Sequence, residues 1–405
     1  MKILHTADWH LGKKLETYTR LPEQEEVLDE ICQIADREAV DVVIVAGDLY
    51  DTFNPTNDAI TLFYKTLKRI SKNGTRPVIA IAGNHDSPDR IEAPDPLAKE
   101  CGIVLLGFPH SEVSPFKLDT GLEVTKSEQG FLEMKVPGHD APLRLIVTPY
   151  ANELRLKTFL GLTDKEGELR NLLQQRWQQL ADTHCNPQGI NMLVAHLFMM
   201  KKGGEAPVED ESEKSILHIG GAQQIYTEQV PSQMQYVALG HLHRYQNISG
   251  APCPVVYSSS PLAYSFAEAN QTKYVAIIEA APGKPVEVNR IALEKGKKLL
   301  RGRFDEMDKA VEWLKENQNA LVEITIVTDH YLTAKERKTL NEHHSGIIAI
   351  IPDVKNKNPN LSDKASSIDT SKHIDDLFRD YFKSKNNDQE PNDRLMDLFR
   401  EVRSK

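Results

Sequence analysis

At 405 residues with 40% apolar content, the chain is long enough for two or three domains and has ample material for a buried core. Its 49 Lys plus Arg against 59 Asp plus Glu give a net charge of −10, which argues against strong autonomous binding to nucleic acid, an affinity that comes mainly from cationic neutralisation of phosphates. No apolar run approaches the roughly 20 residues that span a bilayer, and Cys32, Cys101, Cys185 and Cys253 lie far apart without a CxxC pair, so neither a membrane span, a zinc-thiolate site nor a disulfide framework is suggested. The N-terminus runs directly into a strand instead of a signal peptide, and the expected location is cytoplasmic.

In chain order, residues 2–6 read as a strand, 21–37 as a helix with apolar spacing at Val27, Leu28, Ile31 and Ile34, 42–46 as a buried strand, 57–71 as a helix and 78–82 as a further strand. This is a β-α-β-α-β opening, the start of an α/β fold. Gly83, Asn84 and His85 break the third strand with a turn, Ser87-Pro88 starts another segment, and the sheet resumes at 103–106. Later strands are expected at 143–148, 191–195, 235–239, 255–258 and 274–279, with a polar helix near 166–180. The polar stretch 201–214 reads as an exposed loop, either inert or a contact for substrate or partner.

A composition shift at Ala280-Ala281-Pro282-Gly283-Lys284-Pro285 closes a first domain at residues 1–281. Residues 282–353 are expected to form a small α+β unit that caps or flanks it, with strands at 286–293, 321–328 and 346–351 and helices near 304–317 and 333–341. A polar linker, 354–373, leads to two short amphipathic helices within 374–405. Ile374, Leu377, Phe378, Tyr381 and Phe382 make one apolar face, and Leu395, Leu398, Phe399 and Val402 repeat it. Such helices either dock on the body or grip a partner, and the linker favours the partner.

Seven residues able to bind a metal fall in five blocks: Asp8 and His10, Asp48, Asn84, His196, then His241 and His243. Every block follows a strand-like run. Taken singly each is ordinary, since a lone His at a strand end is more often structural and Gly-Asp after a strand is a common turn. Jointly, five polar blocks at strand ends point to the edge where α/β folds bind ligands. Carboxylate, amide and imidazole donors without thiolate suit Mn²⁺, Fe or Zn. A catalytic pair of ions about 3.5–4 Å apart shares a bridging ligand, and a carboxylate such as Asp48 is the natural bridge. That chemistry suits phosphate ester hydrolysis, with His85, beside Asn84, placed to protonate or hydrogen-bond the leaving oxygen.

Read as Asp8-Trp9-His10, Gly47-Asp48-Leu49-Tyr50-Asp51, Gly83-Asn84-His85-Asp86, Ala195-His196 and Gly240-His241-Leu242-His243, the chain resembles the calcineurin-like metallophosphoesterases over residues 1–280. The stretches from Ile3 to Gly12, Ala82 to Ser87 and Ser259 to Phe266 are similar to the double-strand-break repair nucleases of that superfamily. The resemblance implies a two-sheet sandwich flanked by helices. It places Asp8, His10 and His243 on one ion and Asn84, His196 and His241 on the other, with Asp48 shared and His85 at the transition state. It further implies two Mn²⁺ ions, 3′ to 5′ exonuclease action on duplex DNA and single-strand endonuclease or hairpin-opening action in repair, recombination and replication. An ATPase partner with a coiled coil is implied too, as is a homodimer within a heterotetramer.

Protein phosphatases of the superfamily carry Arg-Gly where this chain has Thr52-Phe53, which weakens that reading. Asp51 is expected to orient His85 through a carboxylate–imidazole hydrogen bond. The alternatives are a phosphoesterase for small phosphodiesters or phosphoproteins, and a binding scaffold, against which the complete ligand set argues. The helix at 57–71, with Leu62, Phe63 and Leu67, either packs on the sheet or joins a homodimer interface. No P-loop occurs, so ATP dependence must come from the partner.

Overall fold

The structure is a computed structural model that describes residues 1–160, 164–208, 224–329, 332–354 and 374–385, together with 390–391, 395–396 and 399. Its strands, in chain order, are β1 (Lys2–Thr6), β2 (Lys14–Leu15), β3 (Tyr18–Thr19), β4 (Val42–Val45), β5 (Val78–Ile81), β6 (Ile103–Leu106), β7 (Glu123–Glu128), β8 (Phe131–Lys135), β9 (Leu143–Thr148) and β10 (Ile190–His196). There follow β11 (Met199–Met200), β12 (Ile225–Tyr226), β13 (Tyr236–Gly240), β14 (Gln246–Ile248), β15 (Val255–Tyr257), β16 (Tyr274–Glu279), β17 (Glu287–Ala292), β18 (Lys298–Phe304), β19 (Ala320–Thr328) and β20 (Ile347–Val354).

Two sheets form a sandwich. The first has the order β17-β16-β1-β4-β5-β6 and the second β14-β15-β13-β10-β9-β8-β7. Within them β1, β4, β5 and β6 run parallel to one another, as do β9, β10, β13 and β15. Every residue of β4 is buried, as expected of a parallel strand covered on both faces. The period-2 alternation divides these side chains: Val42, Ile44, Ile79 and Ile81 meet Leu145, Met192 and Val194 between the sheets. Val43, Val45, Val78 and Ala80 face outward against helices Leu21–Arg37 and Asn57–Ile70. Leu62, Phe63 and Leu67 are spent on this packing, which accounts for the apolar stripe of the second helix without a dimer. Helix Lys165–His184 covers the other sheet through Leu169, Leu173 and Trp177.

The sandwich with helices on both outer faces is the fold class implied by the sequence. Three details differ. Residues 286–293, expected in the small unit, supply β17, an antiparallel neighbour of β16 in the first sheet. The edge strand β7 was not legible, because Glu-Val-Thr-Lys-Ser-Glu leaves one side in water and carries few apolar residues, nor was its buried neighbour β8, whose short apolar run Glu133 interrupts. Likewise β18 escaped notice, and it completes an all-parallel sheet β18-β19-β20 packed under helices Met307–Glu316 and Ala334–His343.

Helix Ile374–Lys385 begins the C-terminal segment, where the Phe378 ring stacks on Phe399 at 4.1 Å between centroids. Most of the second expected helix, linker residues 355–373 and loop residues 209–214 lie outside the described residues. Among the described residues, no helix is long and apolar enough to cross a membrane.

Candidate metal centre

All five blocks sit at the C-terminal ends of parallel strands: Asp8 and His10 beyond β1, Asp48 beyond β4, Asn84 and His85 beyond β5, His196 at the end of β10, and His241 and His243 beyond β13. The first three belong to one sheet and the last two to the other, and the sheets bring these edges together. Glycine permits the approach. A Cβ on Gly83 would fall 2.1 Å from Asp48 Oδ1, and one on Gly240 would fall 1.9 Å from the Ala46 carbonyl oxygen.

The turns are held in an uncommon conformation. Asp8 (φ 54°), His10 (φ 43°), Asp48 (φ 47°) and His241 (φ 106°) all have positive φ without being glycine. Each such residue costs on the order of 1–3 kcal/mol, strain of the kind that collects at functional sites. Hydrogen bonds between the turns keep them in place, from Asp8 N to Gly47 O (2.9 Å) and from His10 N to Asp48 O (2.9 Å). The His241 main-chain N–H donates to Asp8 Oδ1 (2.9 Å), and that of His85 to Asp48 Oδ1 (2.9 Å).

The side chains fall into two sets with Asp48 between them. In one set His10 Nε2 lies 3.0 Å from His243 Nε2. In the other, Asn84 Oδ1 lies 2.9 Å from His196 Nε2 and 3.1 Å from His241 Nδ1. Asp48 Oδ2 is 3.5 Å from His10 Nε2 and 3.4 Å from His196 Nε2. Asp8, His10 and Asp48 can each present one ligand atom within 4.8 Å of the others, and so can His10, Asp51 and His85.

Almost everything here is buried, and the polar atoms at the centre lack partners. Asp8, His10, Asp48, His196, His241 and His243 are at most 2% exposed. Yet among the described residues Asp8 Oδ2 and Asp48 Oδ2 accept no hydrogen bond, and the desolvation of two buried carboxylates calls for positive charge beside them. The tautomers turn lone pairs toward the same space. His196 donates from Nδ1 to the Ala46 carbonyl (2.9 Å), which leaves Nε2 facing two oxygen acceptors. Carboxylate and amide oxygens and ring nitrogens converging on one buried space fit a divalent cation pair.

The titration behaviour follows the same crowding. Burial lowers His10 and His241 to about 3, so both rings stay neutral. Burial raises Asp8 to about 7 against the pull of His196 and His243. Burial would also lower His196, but the negative charges of Asp48 and Asp8 beside it raise it to about 9. The carboxylates thus require a positive charge beside them, which either an imidazolium or a bound cation can provide.

His85 stands next to the first set, its ring 4.7 Å from that of His10. Its Nδ1 lies 2.8 Å from the main-chain oxygen of Asp51, and its buried Nε2 has no partner among the described residues. This corrects the expected carboxylate–imidazole bond, since Asp51 orients His85 through its carbonyl. The Asp51 carboxylate turns the other way, to Lys13 Nζ (2.9 Å), and lies 3.6 Å from His10 Nδ1. Burial opposes its ionisation, but these two neighbours pull its pKa below the usual range.

Sequence reading missed the residues that brace these turns. Asp86 accepts from the main-chain N–H groups of Gly83 (2.8 Å), Leu49 (3.0 Å) and Tyr50 (2.9 Å), tying the turn after β5 to the turn after β4. Arg155 donates to the carbonyls of Gly83 (2.7 Å) and Asp86 (2.7 Å) while packing over the Tyr150 ring. Gln24 donates to the His10 carbonyl (2.8 Å) and accepts from Gly12 N (2.9 Å). Only Asp86 carried a signal, as a carboxylate directly after a candidate catalytic His.

Comparison with known proteins agrees with this geometry. Residues 1–245 match the family described as calcineurin-like phosphoesterase. The chain is 35% identical to the D subunit of the nuclease SbcCD from Bacillus subtilis (strain 168), over 100% of this chain and 98% of that protein. It is 29% identical to the protein of the same name from Escherichia coli (strain K12), over 84% of this chain and 81% of that one. The Rhodobacter capsulatus protein of that name is also 29% identical, over 70% and 67% respectively.

Proposed function

The chain belongs to the calcineurin-like phosphoesterase family and, within it, to the SbcD nuclease subunits, and from that premise we propose that it hydrolyses DNA phosphodiesters at a two-ion centre. It is a metal-dependent nuclease subunit that works on DNA with a partner subunit. Asp8, His10 and His243 would hold one ion and Asn84, His196 and His241 the other, with Asp48 shared between the two sets. The observation that carries this is the position of Asp48 Oδ2, unpartnered and nearly equidistant from His10 Nε2 and His196 Nε2. Mn²⁺ suits the mixed N/O donor set.

When bound, such a pair supplies an activated water at neutral pH and offsets the charge that grows on the phosphoryl oxygens. The chain's own residues do the rest. Gln24 and the hydrogen bonds between the turns fix the backbone of the candidate ligands. The Nδ1 hydrogen bond to the Asp51 carbonyl fixes the His85 ring, so that Nε2 would hold a proton against the leaving deoxyribose oxygen and release it as the P–O bond breaks. Asp51 contributes by this orientation and by pairing its carboxylate with Lys13.

We further propose that the action is 3′ to 5′ on duplex ends and endonucleolytic on single strands, in the cytoplasm. The tail at 374–405 binds an SbcC-type ATPase with a coiled coil, the small unit caps the nuclease sandwich, and two chains pair within a heterotetramer. An exposed Leu97 at an apolar surface groove with Tyr64 and Pro94 supports such pairing. The test is cleavage of end-labelled linear DNA and of a chromogenic phosphodiester by the purified chain with Mn²⁺, with and without the ATPase subunit. Cleavage of the small ester alone under every condition argues for a small-substrate phosphoesterase instead. Removal of residues 374–405 should abolish co-purification with the ATPase while two Mn²⁺ still bind, and retained co-purification refutes the tail's role.

A further inference from the structure

Behind His243, on the side away from the metal centre, the chain buries an ion pair that packing does not require. Glu268 ends the short turn Phe266–Glu268 and is fully buried, and Lys273 is 6% exposed. Lys273 Nζ donates to Glu268 Oε2 (2.5 Å), to Ser260 Oγ (3.0 Å) and to the His243 carbonyl (2.8 Å). Glu268 Oε1 accepts from Tyr264 N (3.0 Å) and lies 3.4 Å from His243 Nδ1. One ammonium therefore holds both the main chain of His243 and the carboxylate that faces its ring.

We propose that Glu268, held by Lys273, is a positioning residue that fixes His243 with its Nε2 lone pair turned toward the metal centre. The inference rests on the two-ion reading given above. An ionised carboxylate only accepts, so the ring nitrogen facing it must carry the proton. In the neutral imidazole the lone pair then belongs to Nε2, the atom that meets His10 Nε2 at 3.0 Å. The opposite tautomer would turn an N–H into the metal site and set a lone pair against the carboxylate. An apolar pair of similar volume would fill the same space without the desolvation penalty of two buried charges, so the pair serves orientation. The turn is anchored from its far side, where Phe266 packs with Leu299 and Leu321 of the small unit and Asn270 N donates to the Leu299 carbonyl (3.3 Å). Carboxylates that orient a metal-binding histidine in this way change metal affinity about 10–100-fold when removed.

The test is calorimetric titration of the full chain with Mn²⁺, alongside the visible absorption of the Co²⁺-loaded protein. The Glu268→Gln/Lys273→Met double variant removes both charges together and strands neither. One of two binding steps should weaken about 10–100-fold while the other is unchanged, with the Co²⁺ bands of one site altered. As a control, Glu133→Gln/Arg144→Met removes another buried pair (2.7 Å) in the second sheet, and should shift thermal unfolding while leaving both metal steps alone. Unchanged metal steps in the Glu268/Lys273 variant overturn the proposal, as does equal weakening in the control. An unmodified chain that binds no Mn²⁺ overturns the two-ion reading first, and the positioning role with it.

Discussion

The sandwich and the small C-terminal unit both contain parallel strands packed under helices, yet they treat charge in opposite ways. At the C-terminal ends of β1, β4, β5, β10 and β13 the sandwich buries carboxylates and imidazoles and leaves Asp8 Oδ2 and Asp48 Oδ2 without hydrogen-bond partners among the described residues. In the small unit, Ala310, Leu314, Val322, Ile324 and Leu340 make an apolar core, while Arg301 pairs with Glu323 and Arg303 with Asp353 at the surface. Parallel topology supplies an edge, but a site exists only where the edge carries groups that destabilise the fold unless something binds them.

Neutralising the bridge should break this contrast most completely. Asp48→Asn is expected to abolish Mn²⁺-dependent DNA cleavage and reduce Mn²⁺ uptake below two ions per chain, both read on one preparation. Two ions still bound with full activity would remove Asp48 from the centre.

Removing His85 should separate chemistry from binding. His85→Ala is expected to slow cleavage about 10²–10⁴-fold, the usual worth of a general acid, while two Mn²⁺ remain bound. Loss of metal alongside activity would instead make it a ligand.

The pH dependence of metal uptake comes next. His196, raised to about 9, and Asp8, raised to about 7, must lose protons to a cation, whereas His10 and His241 are already neutral. Mn²⁺ affinity should therefore rise with pH through 7 and toward 9, with protons released on binding. Calorimetry in buffers of different ionisation enthalpy measures this release, and a pH-independent affinity contradicts it.

Arg155→Met should leave the Gly83 and Asp86 carbonyls short of donors, at about 1–3 kcal/mol for each buried group left unsatisfied. Thermal unfolding of the metal-free chain reads that loss. Arg301→Ala, at the exposed pair of the small unit, should change stability by no more than about 1 kcal/mol and metal uptake not at all. A large effect there would dissolve the contrast between the two regions.

Much of this was legible before folding because each signal was local. A run such as Val-Val-Ile-Val followed by Ala-Gly-Asp reads as a buried strand and a polar turn in any context, and the five blocks could be recognised one by one. Asp51 shows where local reading stops. Its carboxylate was the natural partner for His85, but the main-chain oxygen makes the contact, because the turn after β4 brings that carbonyl to 2.8 Å from Nδ1. Glu268, Lys273, Arg155 and Gln24 belong to no recognisable block, and their importance comes only from what they touch. Strands β7 and β18 were hidden because edge positions relax the apolar alternation on which sequence reading depends, and β8 because the buried Glu133 interrupts its short apolar run.

By itself, the sequence determined the strands, their turns and the identity of the metal-binding candidates, since these depend on side-chain type and short-range periodicity. Only the tertiary structure decided the grouping: His10 with His243, Asn84 with His196 and His241, and one oxygen of Asp48 between them. Those residues come from two different sheets and lie as much as 233 positions apart. Their separations are set by how the sheet faces pack and how closely Gly83 and Gly240 let the edges approach, which no stretch of chain specifies alone.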